Sequence, residues 1–283
     1  MDAPPLVRPP SATAPEVPIA PSPSDLLALA AVRRRAGAPG GGGGGAIPGR
    51  AGGGRAAREG GGGGAAAVDV AGERLTLHPE RAVHWPARRT LLVADLHLGK
   101  EHAFGRRGIA IPAGPSEAGL ARLARLIAAT GVERLAVLGD LMHDAPDGPE
   151  SWLGALSGVL DTHRSLAVEV CAGNHDRPEA HAALDARLTW LAEPVVDGPF
   201  VLRHHPRDDP RGHVLAGHLH PVHRVGRARG AGLRLPAFWL RPGHAVLPAF
   251  GEFTGGLAVR PERGDRLWVA GPERVVRVTL RRG

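Results

Sequence analysis

The chain has 283 residues with 41 Gly, 27 Pro, ten aromatic residues and one Cys. A single Cys excludes a disulfide framework and any Cys-based zinc cluster within the chain. The longest early apolar stretch, residues 26–32, is too short to span a bilayer and precedes its basic run, Arg33–Arg35, the reverse of a signal peptide's order. The arginines lead into glycines, so a twin-arginine signal is excluded as well. A soluble cytoplasmic protein without a membrane partner is expected.

Composition divides the chain. Residues 1–67 hold 16 of the 41 Gly and 10 of the 27 Pro, and no His, aromatic or Cys. Glycine runs 40–45 and 60–64 cannot offset the entropy of ordering a backbone by burial. A disordered tail over 1–67 is expected, with one candidate helix over Asp25–Arg35 capped by Ser24. Its 7 Arg against 4 acidic residues give 7 − 4 = +3; the rest of the chain carries 28 − 24 = +4. That charge argues only weakly for a polyanionic partner.

From residue 68 strands alternate with helices. Arg89–Ala94 reads as a strand, Glu117–Ala129 as a helix with Leu120, Leu123, Leu126 and Ile127 at helical spacing. A strand over Leu135–Leu138, a helix over Ser151–His163 and a strand over Leu166–Ala172 follow. This order predicts parallel pairing with right-handed crossovers. After residue 194 come short strands: 195–196, 200–204, 213–216, 233–240, 245–249, 257–259, 266–269 and 274–280. Their close spacing predicts largely antiparallel pairing. The whole reads as a mixed sheet, or two sheets face to face, with helices outside.

Chemistry sits at the strand ends: Asp95-Leu96-His97, Gly139-Asp140, Gly173-Asn174-His175-Asp176, His204-His205-Pro206 and Gly217-His218-Leu219-His220. Ligands in open α/β sheets gather at the carboxyl ends of strands, so the five groups should converge. Asp, His and Asn are donors that suit Mn, Fe or Zn. Residues 95 and 97, and 218 and 220, share a side if the backbone there is extended. Asp140 could bridge two cations, and Asn174 adds a neutral oxygen. Each fragment alone is weak; the ordered set is specific.

That ordered set resembles the calcineurin-like metallophosphoesterases over about residues 70–260. The resemblance implies a four-layer α/β/β/α sandwich in a domain spanning 68–283, and a two-metal phosphoester hydrolase. Carried over by motif, Asp95, His97, Asp140 and His220 would hold one metal, and Asp140, Asn174, His204 and His218 the other. Mn is the first expectation, with Fe, Zn or Mg as alternatives. His175 would contact the phosphate and protonate the leaving oxygen, with Asp176 orienting its ring. The segments 94–101, 138–143 and 247–256 further resemble the bacterial ligase-associated DNA damage response endonuclease branch. That implies DNA as substrate in repair and DNA ligase and helicase-like partners.

Other residues carry plainer alternatives. His204 is preferred over His205 by the family's His-x-Pro pattern. His143 is either beside the site or a surface residue. Lys100, His102, Arg106 and Arg107 either grip flanking phosphates or form a solvated basic face. Phe250 and Phe253 read as a packed corner more readily than as a base-stacking platform, and Cys171 as a small buried hydrophobe. Three functions are weighed: a nuclease, a diesterase or phosphatase for small nucleotide-like molecules, and a non-catalytic scaffold. The full set of ligand positions counts against the scaffold.

Overall fold

The computed structural model describes residues 64–225 and 232–279. The candidate helix Asp25–Arg35 and nearly all of the expected tail lie outside the described residues. The folded chain takes in the last two residues of that tail, because β1 (Ala66–Val70) pairs from Ala66 onward with β2 (Glu73–Leu77). Ala71 and Gly72 join the two strands with φ of 49° and 84°, the sign of a tight hairpin whose twist matches its strands.

β3 (Val83–Trp85) continues the antiparallel run onto β4 (Thr90–Val93), and from β4 the sheet turns parallel through β5 (Arg134–Leu138), β6 (Ala167–Cys171) and β7 (Leu188–Leu191). The β4-to-β6 pairing is as expected; β1–β3 and β7 are additions. The crossovers are α1 (Lys100–Arg106), α2 (Pro115–Thr130), α3 (Ser151–Thr162) and the single turn α4 (Pro178–His181). Pro115 opens α2 at a position where a missing N–H costs nothing, and Gly131, at φ 61°, closes it by donating to the Ile127 carbonyl.

Side chains alternate across this sheet. Leu91, Val93, Leu135 and Val137 face the helices, packed against Leu120, Leu123, Leu126 and Ile127 of α2. Leu92, Ala94, Ala136 and Leu138 face the other way, onto Phe200, Leu202, Leu215, Phe238 and Leu240 of a second sheet. Burying each large side chain stabilises by about 1.5–3 kcal/mol, and two-sided burial explains why the parallel strands read as unbroken apolar runs. The two sheets therefore pack face to face with helices outside. All four α-helices among the described residues lie between strands of the first sheet.

The second sheet contains β8 (Val195–Asp197), β9 (Phe200–Leu202), β10 (His213–Ala216), β11 (Pro221–Val225), β12 (Leu233–Leu240), β13 (His244–Val246), β14 (Leu257–Ala258), β15 (Arg266–Ala270) and β16 (Val275–Arg277). Its order is β14-β11-β12-β13-β10-β9-β8, with β15 and β16 added beside β12. Five of its eight strand pairs are antiparallel, so the expectation of largely antiparallel pairing holds, with three parallel pairs as exceptions. β10 is parallel to both β9 and β13, and β14 is parallel to β11. The loop 203–212 and the β11–β12 excursion carry the chain back to the starting edge, so short spacing does not impose a hairpin. As a result β9 and β10 end at the same edge, which places His204 and His218 side by side. No helix among the described residues is long and apolar enough to cross a membrane.

Candidate metal centre

The loops after β4 and β5 extend the parallel ladder beyond the strands. The N–H groups of Asp95, His97 and Leu98 donate to the carbonyls of Gly139, Asp140 and Leu141 at 2.9–3.0 Å, and His143 N–H returns to Leu98. Asp95, His97, Asp140, His218 and His220 all have positive φ, from 46° to 71°. The extended geometry expected for Asp95-x-His97 and His218-x-His220 is therefore absent. The side chains converge because left-handed residues alternate with ordinary ones. Each such residue costs on the order of 1 kcal/mol and persists only where its surroundings over-determine it.

Close approach depends on glycine. Gly139 sits at φ 86°, and a Cβ there would overlap the His204 ring; a Cβ on Gly217 would lie 2.6 Å from Asp95 Oδ2. Asp95 instead accepts the His218 N–H at 2.9 Å, and Asp140 Oδ1 accepts the His175 N–H at 2.9 Å. These bonds tie the second sheet and the β6 loop to the two carboxylates.

The structure brings all seven expected ligands together. On one side Asp95, His97 and His220 converge, with His97 Nε2 3.2 Å from His220 Nε2, 3.7 Å from Asp140 Oδ2, and His220 Nε2 3.5 Å from Asp95 Oδ1. On the other, His204 Nε2 lies 2.9 Å from Asn174 Oδ1, 3.1 Å from His218 Nδ1 and 3.5 Å from Asp140 Oδ2. Asp140 stands between the two groups. Asp95, His97, Asp140 and His204 are buried and Asn174 is exposed at the mouth.

Tautomers decide what this cluster can hold. His204 Nδ1 donates to the Leu138 carbonyl at 3.1 Å, so its Nε2 carries a lone pair. That lone pair meets the oxygens of Asn174 and Asp140 with no hydrogen between them. His220 Nδ1 donates to the Thr254 carbonyl at 3.0 Å, which leaves its Nε2 as a lone pair facing Asp95. His97 Nδ1 is buried without a partner. Acceptors turned on one another in a buried site repel unless a cation sits among them, so the donor set fits two divalent ions.

The electrostatics agree. Burial holds the His97 pKa well below 6.5, helped by His220 and Lys100. Burial likewise lowers His218 to about 4, and these imidazoles are neutral at neutral pH. Burial also opposes charge on His220, but once protonated its Nε2–H can donate to Asp95, and that bond with the carboxylate's charge raises its pKa overall. Burial raises Asp140, against the pull of His204.

His175 Nδ1 donates to the His143 carbonyl at 2.6 Å, its ring stacks on His143 at 4.7 Å, and it meets His97 edge-on at 5.0 Å. The expected orienting role of Asp176 is corrected. Its buried carboxylate accepts N–H groups from Leu141, Met142 and Gly173 at 2.9–3.1 Å, tying the β5 and β6 loops together rather than touching the His175 ring. His143 lies beside the site, its pKa lowered by burial to about 3. His205 is exposed and packs on His218 at 4.0 Å, outside the buried set.

The basic residues after β4 divide. Lys100 packs over Phe104 and lies near Asp140; burial lowers it to about 8 although Asp140 opposes the shift. Arg106 is held by buried Glu150 at 2.7 Å, and Arg107 lies 3.4 Å from Asp144, so carboxylates engage both guanidiniums. Phe250 is buried, which agrees with a packed corner, and Arg122 covers its ring at 4.3 Å. Cys171 is buried in the inter-sheet core, its thiol pushed up to about 12 by burial.

Several contributors carried no sequence signal. Glu193 Oε2 accepts the His204 N–H at 2.5 Å. The carbonyls of Leu138, His143 and Thr254 orient three imidazoles. Glu252 joins Arg81 and Arg122, whose guanidiniums also reach the Gly251 and Phe250 carbonyls, and so fixes the loop bearing Thr254.

Among solved structures, the chain is similar to Pseudomonas putida nuclease MPE, with 39% identity over 75% of this chain and 100% of that one at a TM-score of 0.64. Weaker likeness links it to Yfce, a phosphoesterase from E. coli (12% identity, 67% and 97% covered, TM-score 0.36). No protein-family model matches the chain, and no curated protein does. On its identity to the P. putida nuclease over that protein's whole length, the chain belongs to the calcineurin-like metallophosphoesterases, in the ligase-associated DNA damage response endonuclease branch.

Proposed function

We propose that the protein is a metal-dependent phosphodiesterase that cleaves DNA as an endonuclease in repair. One observation carries the chemistry: the lone pairs of His204 Nε2, Asn174 Oδ1 and Asp140 Oδ2 meet without a proton between them. The nature of the substrate is supported by the relation to a nuclease. Asp95, His97, Asp140 and His220 would hold one divalent ion, and Asp140, Asn174, His204 and His218 the other. Mixed oxygen and imidazole donors admit Mn, Fe or Zn, and this reading takes Mn first. Two such ions would activate water and neutralise the phosphoryl oxygens for in-line displacement.

The chain's own residues supply the rest. His175, its Nδ1–H held by the His143 carbonyl, would act as the imidazolium, giving its Nε2 proton to the leaving oxygen as the P–O bond breaks and remaining as the neutral ring. Asp176 fixes the loop that carries His175. Lys100 adds positive charge on the Asp140 side. A cytoplasmic location and ligase and helicase-like partners belong to this reading and rest on the branch resemblance.

The test is a metal-stripped protein titrated with Mn against a labelled oligonucleotide and an activated aryl diester. Metal-dependent cleavage of both is expected, at about two ions per chain. Full metal occupancy without oligonucleotide cleavage would overturn the nuclease reading; a single ion per chain would overturn the two-metal one.

A further inference from the structure

The β11–β12 hairpin grows out of the metal centre. β11 starts at Pro221, immediately after His220, and pairs antiparallel with the first half of β12. The second half of β12 pairs with β13 and β15, with Trp239 opposite Val246. Since β13 runs parallel to β10, its carboxyl end lies at the edge that bears His218. The first half of β12 and its partner β11 therefore project past that edge.

Arg224 and Arg234 stand directly opposite each other on this projection. Both are exposed, and among the described residues neither has an acidic partner. Arg234 donates to the Gly256 carbonyl at 2.5 Å, beside the loop whose Thr254 carbonyl orients His220. Like charges directly across an antiparallel pair destabilise it, so the fold gains nothing from this pairing. Strand alternation puts Arg234 on the same side as Phe238 and Leu240, which face the first sheet. The two guanidiniums thus lie on the face that continues over the mouth of the site. Arg224 lies four residue steps beyond His220, about 13 Å at about 3.3 Å per residue. One strand of B-form DNA rises about 3.4 Å per nucleotide, so that distance is about four nucleotides.

We infer that Arg224 and Arg234 form a phosphate clamp that grips the DNA backbone up to about four nucleotides from the scissile bond. The inference rests on the nuclease reading and adds the path of the substrate. Two guanidiniums facing one way suit the tetrahedral, multiply accepting phosphate, and a backbone grip requires no base contact.

Arg224→Ala is the cleaner variant, because Arg224 bonds nothing described. On a long oligonucleotide it should raise KM about tenfold and reduce the slope of log affinity against log salt by about 0.7–0.9. The melting temperature and kcat on a small aryl diester should match the parent. On oligonucleotides with fewer than about four nucleotides on either side of the cut, variant and parent should converge. Arg224→Gln should behave as Arg224→Ala, and Arg224→Lys should recover most of the loss. If the parent cleaves long DNA and Arg224→Ala keeps its KM and salt slope, the clamp is refuted. Equal loss on the small diester would also refute it, since the residue would then be supporting the site. A parent that hydrolyses the diester but neither binds nor cuts DNA would overturn the nuclease reading and the clamp together, an outcome distinct from the other two.

Discussion

Asp176→Asn separates two roles that adjacency in sequence cannot distinguish. Asp176 Oδ2 accepts from Leu141 and Gly173 at 3.1 and 2.9 Å, and Oδ1 accepts from Met142 at 3.0 Å. An amide keeps one oxygen. If that oxygen retains the two-bond position, its NH₂ group faces the Met142 N–H, donor against donor. A buried donor left without a partner costs about 1–3 kcal/mol, and two charge-assisted bonds become neutral at about 1 kcal/mol each. The total is about 3–5 kcal/mol. For a folded region of this size, 1 kcal/mol moves the melting temperature by about 2–4 °C, so the metal-free variant should melt about 6–20 °C lower. Metal affinity should fall with it, because Leu141 and Gly173 flank Asp140 and Asn174. The assay is thermal unfolding in chelator, with kcat measured under excess metal well below the transition. An unchanged melting temperature and metal content with a large loss of kcat would refute the tie and return Asp176 to orienting His175.

Asp140→Asn should weaken both cation sites and abolish turnover, whereas Asp95→Asn should deplete mainly one; metal content of each variant decides this. Gly139→Ala should displace His204, so one of two ions should be lost on dialysis although the substituted residue carries no ligand atom. His175→Ala should keep its metal but lose roughly 10²–10⁴ in kcat on DNA, with a smaller loss on an aryl diester whose leaving group needs no proton; equal losses would remove the acid role. On acidification His220, raised above 6.5, takes up its proton before His97 and His218, which are lowered. The ion on the Asp95/His97/His220 side should therefore leave first as pH falls through that range, and excess metal should restore activity. Metal-free protein should lose stability between pH 6.5 and about 4. There His218 (about 4) and His143 (about 3) bind protons only once unfolded. Acid-independent metal occupancy or melting would refute the corresponding step.

The parallel strands were legible because their burial is two-sided. Leu91–Val93 and Leu135–Leu138 are apolar at every position, and the helix between them has four apolar residues at the right spacing. β1 and β2 also carry a readable alternation, Val68 with Val70 and Leu75 with Leu77, but it is diluted by neighbouring Ala, Gly and charged residues. β7 has only Leu188, Trp190 and Leu191 to announce it. In the second sheet the prevailing antiparallel sense was legible from the close spacing, but the three parallel pairs were not. Parallel or antiparallel depends on the route of each connection, and the loop 203–212 has no helix to mark it as a crossover. That unmarked crossover matters for function, since it puts the carboxyl ends of β9 and β10 at one edge.

The ligands were legible by residue type and by their place after strands, but the forces that aim them were not. The left-handed residues follow no pattern in the sequence, because Asp and His tolerate that conformation without demanding it. The imidazoles are oriented by the carbonyls of Leu138, His143 and Thr254, and every residue has a carbonyl. Substitutions at those three positions that preserve the backbone should therefore leave the tautomers intact. The constraint falls instead on positions without side chains: Gly139 and Gly217, where a single methyl would occupy space now filled by His204 and by the Asp95 carboxylate. In this site the main chain sets the tautomers, the glycines allow the rings to close in, and the side chains named by the sequence supply only the lone pairs.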